Sequence, residues 1–347
     1  MVKIENQKGA ITIDPEVFAN LAGDAATSCF GVKAMAAQAK DGGVFQLRRE
    51  SMSKGIETQL GEDGSVSLGL HIAVDHGVNL IDTAPIYGKG HSETLVGQAI
   101  KGRRDKVVLC TKVGLLFDDP KGRQGKCLQP DAIEYEIEQS LRRLGTDYID
   151  LYYVHWPNPD IDIGETMEAF NLLKAQGKIR AIGVSNFSVE QMRAAQRYAK
   201  LDALQPEYNL LCRGIEADVL PFCRENGISI LTYNSIAKGI LSGAFHLGGA
   251  RVTDFRTAKP LFQEAALAEE LPLIELLRDI AQAHSVSLAQ VAIAASLARP
   301  GVTATIVGTQ NPAHFLDNIQ AADLSLSGEE LRAIDETSAR VLRALEP

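Results

Sequence analysis

The chain has 347 residues, 45% apolar and 23% charged, an ordinary globular make-up with enough length to bury a sizeable core. Its net charge is −9 and no Lys/Arg-rich run stands against that acidic balance, which argues against nucleic-acid partners. No apolar run approaches the ~20 residues that span a bilayer, and the opening MVKIENQKG lacks the pattern of a signal peptide. Cys29, Cys110, Cys127, Cys212 and Cys223 form no CxxC pair, so free thiols in a cytoplasmic protein, without metal or membrane insertion, are the expectation.

Residues 1–78 read differently from the rest. Asp14-Pro15-Glu16 is a helix start, with Val17 and Leu21 supplying an apolar stripe to about Cys29. Short strand patterns follow at Val44–Leu47 and Ile56–Leu60. Val66, Leu68, Leu70, Ile72 and Val74 then alternate as in a half-buried strand, although their spacing by four also suits a helix ending at Gly77.

From residue 79 the pattern changes to alternation. Strands are expected at 79–83, 106–112, 148–155, 179–185, 203–206, 228–233 and 303–308. Helices are expected at 92–101, opened by Ser92 and Glu93, and at 131–144, 164–176, 188–199, 215–226, 268–298, 312–322 and 327–340. The long 268–298 helix should break near Ser285–Ser287, and Ala244–Phe262 reads as an irregular loop. Apolar strands alternating with helices imply a parallel sheet covered on both faces, of the α/β class. Eight strands would close a TIM-type (β/α)8 barrel. Seven are counted, so the first strand is atypical or missing unless the N-terminal segment supplies one, and some N-terminal strand is expected to fill that gap.

Polar residues gather where these strands end: Asp82 and then Tyr87, Lys112, His155, Ser185-Asn186, Gln205, Tyr233 and Gly308-Thr309. Active sites of such barrels lie at the strands' C-terminal face. Alone, Asp82 is an ordinary cap or turn former and His155 an ordinary structural donor. Four such groups on successive strand ends are hard to explain as caps, because buried strand ends rarely carry charge.

DTAPIYGKGHSE, TKVG, SLRRLGTDYIDLYYVHWPNP, GKIRAIGVSNFS, QPEYNLL and IVGTQNP resemble, in order and spacing over 79–340, the aldo-keto reductase superfamily and its bacterial stress-protein branch. The resemblance implies a barrel that binds NADP(H), with NAD(H) possible, and reduces a small-molecule aldehyde or ketone. It assigns Asp82, Tyr87, Lys112 and His155 as a catalytic tetrad. Ser185, Asn186 and Gln205 would hold the nicotinamide carboxamide, and Tyr233 would stack beneath its ring. Ser235, Gly308, Thr309, Gln310, His314 and Asn318 would complete the cofactor site, with a helix starting at Asn311-Pro312 offering amides to a phosphate.

The residue types suit the chemistry. Hydride addition to a carbonyl leaves an alkoxide that needs a proton, and a free phenol is a reluctant donor near neutral pH. An ammonium at Lys112 favours the phenolate of Tyr87, Asp82 holds that lysine charged, and His155 can donate to the substrate oxygen. Two departures from the family pattern bear on the cofactor: Tyr233-Asn234-Ser235-Ile236 replaces the common Tyr-Ser-Pro-Leu, and Gln310 stands where many relatives place a cation for the 2′-phosphate.

The family's opening strand motif is missing. Residues 2–78 instead resemble the alkaline-shock protein family of Gram-positive bacteria, small α+β proteins of cell-envelope stress, and lack that family's C-terminal part. The expected organisation is a hybrid: an α+β segment over 1–78 and a barrel over 79–347. The alternative to a reductase is a catalytically impaired hybrid that binds nucleotides or serves envelope-stress interactions.

Overall fold

Short apolar strands separated by capped helices occupy most of the chain, preceded by two hairpins. The computed structural model describes residues 2–6, 9–13, 56–60, 66–70, 79–308 and 312–345. β1 (Val2–Asn6) pairs antiparallel with β2 (Gly9–Ile13), and β3 (Ile56–Leu60) with β4 (Val66–Leu70). The alternating stretch at Val66 is therefore a strand as far as Leu70. Its continuation over 71–78, the helix expected from Asp14 and the strand expected at Val44–Leu47 lie outside the described residues.

Two compact units carry the remainder, Met1–Asp202 with Gly308–Leu316, and Ala203–Val307 with Asp317–Pro347. In the first, β5 (Leu80–Asp82) leads through a loop to α1 (His91–Ile100) and β6 (Val108–Val113). A small hairpin of β7 (Leu115–Leu116) and β8 (Gly125–Lys126) precedes α2 (Pro130–Leu144). Then come β9 (Ile149–Val154), α3 (Ile163–Ala175), β10 (Ile179–Ser185) and α4 (Val189–Gln196). Strands β5, β6, β9 and β10 are parallel neighbours in that order. The helices begin and end where local chemistry directs: Pro130 stands at the start of α2, left-handed Gly145 ends it, and Ser188 with Gln191 forms a reciprocal cap on α4.

The second unit holds β11 (Ala203–Gln205), α5 (Val219–Glu225), β12 (Ser229–Thr232), α6 (Glu264–His284), α7 (Leu288–Leu297) and β13 (Ala304–Thr305), with β11, β12 and β13 parallel in order. Left-handed Ser285 ends α6, and Ser287 caps α7 reciprocally with Gln290, so the break falls at the expected place. α8 (Pro312–Ile319) and α9 (Gly328–Leu345) close the chain. Leu241, Leu273, Leu277, Val291, Ile334 and Val341 sit in this unit's hydrophobic core.

One expectation is not met among the described residues, and one needs correction. Among the described residues, β1 to β4 pair only within their own hairpins, so none of these four lies beside β5, which has β6 as its strand neighbour. An antiparallel hairpin pairs its inward-facing backbone groups within itself, so each of the two forms as a local unit. The stretch 215–226 is a 3-10 turn at Gly214–Glu216 followed by α5, with Asp218 capping the helix through its hydrogen bond to the Val219 amide.

Candidate active site

Strand register alone gathers the first unit's candidates. Asp82 stands opposite Cys110, Lys112 opposite Tyr153, and Tyr153 opposite Gly183. Side chains alternate with period two, so Asp82, Cys110, Lys112, Tyr153 and Gly183 share one face of the sheet. His155 and Ser185, two positions beyond Tyr153 and Gly183, continue that face at its C-terminal edge. Gly183 makes room for the layer below: a Cβ there would stand 2.4 Å from the Tyr153 ring.

Lys112 is 1% exposed and Asp82 likewise. Lys112 Nζ donates to Asp82 Oδ1 at 2.7 Å and to the Thr83 carbonyl at 3.0 Å. Burial, and then the Asp82 charge, hold the Cys110 thiol well above its ordinary value, so Cys110 is a neutral member of the charged layer. The loop after β5 turns Tyr87 back over this pair. The Lys112 ammonium lies 5.2 Å from the centre of the Tyr87 ring, whose edge meets His155 with centroids 5.9 Å apart and planes at 88°. Tyr87 and His155 are half-buried, Lys112 and Asp82 fully so. The arrangement can hold a cation beneath a phenol and present the phenol and an imidazole together.

The Tyr87 loop needs unusual backbone. Gly88, Lys89 and Gly90 are left-handed in succession, with φ of 61°, 52° and 89°. Two of the three are glycine, which takes that conformation without steric cost. Ser92 and Glu93 fall in the first turn of α1 as expected; the helix starts at His91 with Gly90 as N-cap and no side-chain cap. Ser92 Oγ meets Thr83 Oγ1 at 2.9 Å across the loop's base, and Glu93 turns to Thr111 and Arg143. These tertiary partners win because both side chains are fully buried and need hydrogen bonds there.

Ser185 is buried and Asn186 left-handed, φ 61°. Asn186 Nδ2 donates to Ser185 Oγ at 3.0 Å and to the His155 carbonyl at 3.3 Å. In the second unit, buried Gln205 ends β11 and half-buried Tyr233 follows β12. Asn234 takes φ 59°, and Ser235 Oγ donates to the Ile306 carbonyl at 2.8 Å. Asparagine tolerates that left-handed position better than most residues, which accounts for its presence after Tyr233. Gly308 and His314 are exposed and Asn318 is buried, whereas Thr309 and Gln310 lie outside the described residues.

Residues 51–339 match the model of the aldo/keto reductase family. The chain belongs to that family. Residues 3–85 also match a second family model, described as having a cell envelope-related function. Both halves of the hybrid resemblance are therefore borne out, and 51–85 satisfies both models. The NADH-specific methylglyoxal reductase of Escherichia coli is 35% identical over 283 residues, 77% of this chain and 85% of its own. Among solved structures, the glycerol dehydrogenase AKR11B4 of Gluconobacter oxydans superposes with TM-score 0.72 at 35% identity, covering 79% of this chain and 84% of its own. An aldo/keto reductase of Klebsiella pneumoniae in complex with NADP and acetate gives 0.59 at 36%, covering 76% and 81%. The fold is thus that of the family's α/β barrel. Among the described residues no single helix is long and apolar enough to cross a membrane.

Behind the charged layer, Glu136 on α2 is 3% exposed and accepts a 2.9 Å hydrogen bond from the Gly114 amide. Burial pushes its carboxyl from 4.5 up to about 8, the Gly114 N–H opposing the shift and the Glu93 charge adding to it. A native value raised above the unfolded one means that the folded protein holds the proton more tightly. The stabilisation is complete below the unfolded value and fades as pH rises from about 4.5 to about 8. Melting temperature should therefore fall across that window, and Glu136→Gln, which keeps a neutral acceptor at all pH, should flatten the decline. A variant with the wild-type slope would show that Glu136 is already ionised in the native protein.

Proposed function

We propose that this chain is an NAD(P)H-dependent carbonyl reductase in which Tyr87 is the acid/base, Lys112 and Asp82 its electrostatic support, and His155 the donor to the substrate oxygen. The observation that carries the reading is the buried Lys112–Asp82 pair beneath a half-exposed phenol that faces an imidazole. A buried ion pair is a poor device for stability alone, whereas a fixed ammonium below a phenol stabilises the phenolate left after proton donation.

Within the first unit, Ser185 and Asn186 present a hydroxyl and an amide that already hydrogen-bond each other, a donor and acceptor set suited to a carboxamide. In the second unit Gln205 offers an amide and Tyr233 an aromatic face, and the family resemblance assigns each of them to the nicotinamide. Ser235, Gly308, Thr309, Gln310, His314 and Asn318 are assigned to the rest of the coenzyme, with the start of α8 toward a phosphate. When bound, the coenzyme supplies the hydride. Tyr87 gives its proton to the nascent alkoxide oxygen, Lys112 offsets the negative charge left on the phenol, and His155 directs an N–H to that same oxygen. The substrate class is a small aldehyde or ketone, and residues 1–78 are read as a separate module ahead of the barrel, in a cytoplasmic protein.

Tyr87→Phe tests the central assignment. With NADPH and methylglyoxal, the compound for which the E. coli relative is named, the variant should lose most turnover while binding NADPH within a few-fold of wild type. Retained turnover would remove Tyr87 from the acid/base role. Coenzyme choice follows from Gln310: NADP(H) is the proposed coenzyme, but one missing charge-assisted contact to the 2′-phosphate is worth about 1.5–3 kcal/mol. Titration should give NADPH and NADH dissociation constants that differ by less than about a thousandfold. A larger ratio would show that another cation reads the phosphate.

A further inference from the structure

The loop that carries Tyr87 is fastened from behind by groups with no part in proton transfer. Arg143, on α2, packs its stem against Gly90 so closely that a Cβ there would stand 2.6 Å from Arg143 Cδ. Its Nε donates to Glu93 Oε2 at 2.7 Å, and the other Glu93 oxygen accepts from Thr111 Oγ1, also at 2.7 Å. Glu93 is fully buried in the first turn of α1, and Thr111 immediately precedes Lys112 in β6. One carboxylate thus ties the helix that follows Tyr87 to the strand that carries Lys112, and α2 holds the tie in place.

Strand alternation puts Thr111 on the face opposite Lys112, so the tie pulls from the helix-covered side and leaves the charged face clear. The Thr83–Ser92 contact closes the loop's base, and the Ser92 amide donates to the Tyr87 carbonyl at 3.3 Å. Apolar packing would let α1 slide along β6. Two charge-assisted hydrogen bonds from different elements fix its register.

We propose that Glu93, held between Thr111 and Arg143, is a positioning residue that sets the separation between the Tyr87 phenol and the Lys112 ammonium. This rests on the reading of Tyr87 as acid/base. A loosened tie should misplace the phenol without disturbing the coenzyme's own contacts.

Thr111→Val keeps the side chain's volume and removes its hydrogen bond. With NADPH and methylglyoxal, kcat should fall about ten- to hundredfold, as small misplacements of a reacting group do. NADPH affinity should stay within a few-fold, and Thr111→Ser should restore most of the rate. Arg143→Met should show the same split between kcat and NADPH binding, and it decides the matter if Thr111→Val does not fold. Wild-type kcat in a folded Thr111→Val or Arg143→Met protein overturns the inference. So does a loss that Thr111→Ser does not relieve, which marks a packing defect. The two readings separate cleanly: an active Tyr87→Phe defeats the acid/base assignment, whereas an inactive Tyr87→Phe beside an unimpaired Thr111→Val defeats only the positioning role.

Discussion

The buried contact between Lys112 and Asp82 governs the rest of the first unit. Each ion loses several kcal/mol of hydration on burial, and their attraction repays this only with good geometry and further hydrogen bonds. The geometry is good: a 2.7 Å contact between side chains on neighbouring parallel strands, with the Thr83 carbonyl taking a second ammonium proton. Removing one partner of such a pair costs about 3–5 kcal/mol because the other is left uncompensated. A sequence keeps that arrangement where a fixed charge is needed, and under the proposed mechanism the phenol above it needs one.

Much else follows from placing that charge. The pair sits on the face shared by Tyr153, His155 and Ser185 because the register of four parallel strands allows nothing else. Gly183 yields its side-chain space to Tyr153, which fills the layer under the site. Tyr87 reaches the face from a loop with a left-handed lysine at its tip, a conformation that costs about 1–3 kcal/mol and persists only where surrounding contacts insist on it. Those contacts are the Thr83–Ser92 closure and the Glu93 tie to β6 and α2. The strained loop and the buried carboxylate behind it form one mechanical unit.

The strand ends were legible in the sequence because each apolar run stops at a polar residue, as Ile81 does at Asp82 and Val154 at His155. The break at Ser285–Ser287 was legible too, since a cap signal at Ser287 followed a long helical period. Glu93 and Arg143 were not. Read locally, a Ser-Glu pair before a helix is a cap, and only the packing of α1 against β6 and α2 shows that Glu93 serves distant partners 18 and 50 residues away. The hairpin at Leu115 and Gly125 escaped for a related reason: two-residue strands carry no periodicity. Residues 51–85 match two families at once, and within them β3 and β4 pair antiparallel with each other rather than with the parallel set.

The central claim is that the buried ion pair exists for the chemistry rather than for the fold. The double variant Asp82→Asn/Lys112→Met removes both charges and leaves neither partner orphaned, so it separates the two roles. Thermal melting, NADPH titration and single-turnover reduction of methylglyoxal should be measured on the same preparation. The account predicts a folded protein that binds NADPH and reduces the substrate at least about a hundredfold more slowly than wild type. A folded, NADPH-binding double variant with near wild-type single-turnover rate would contradict it.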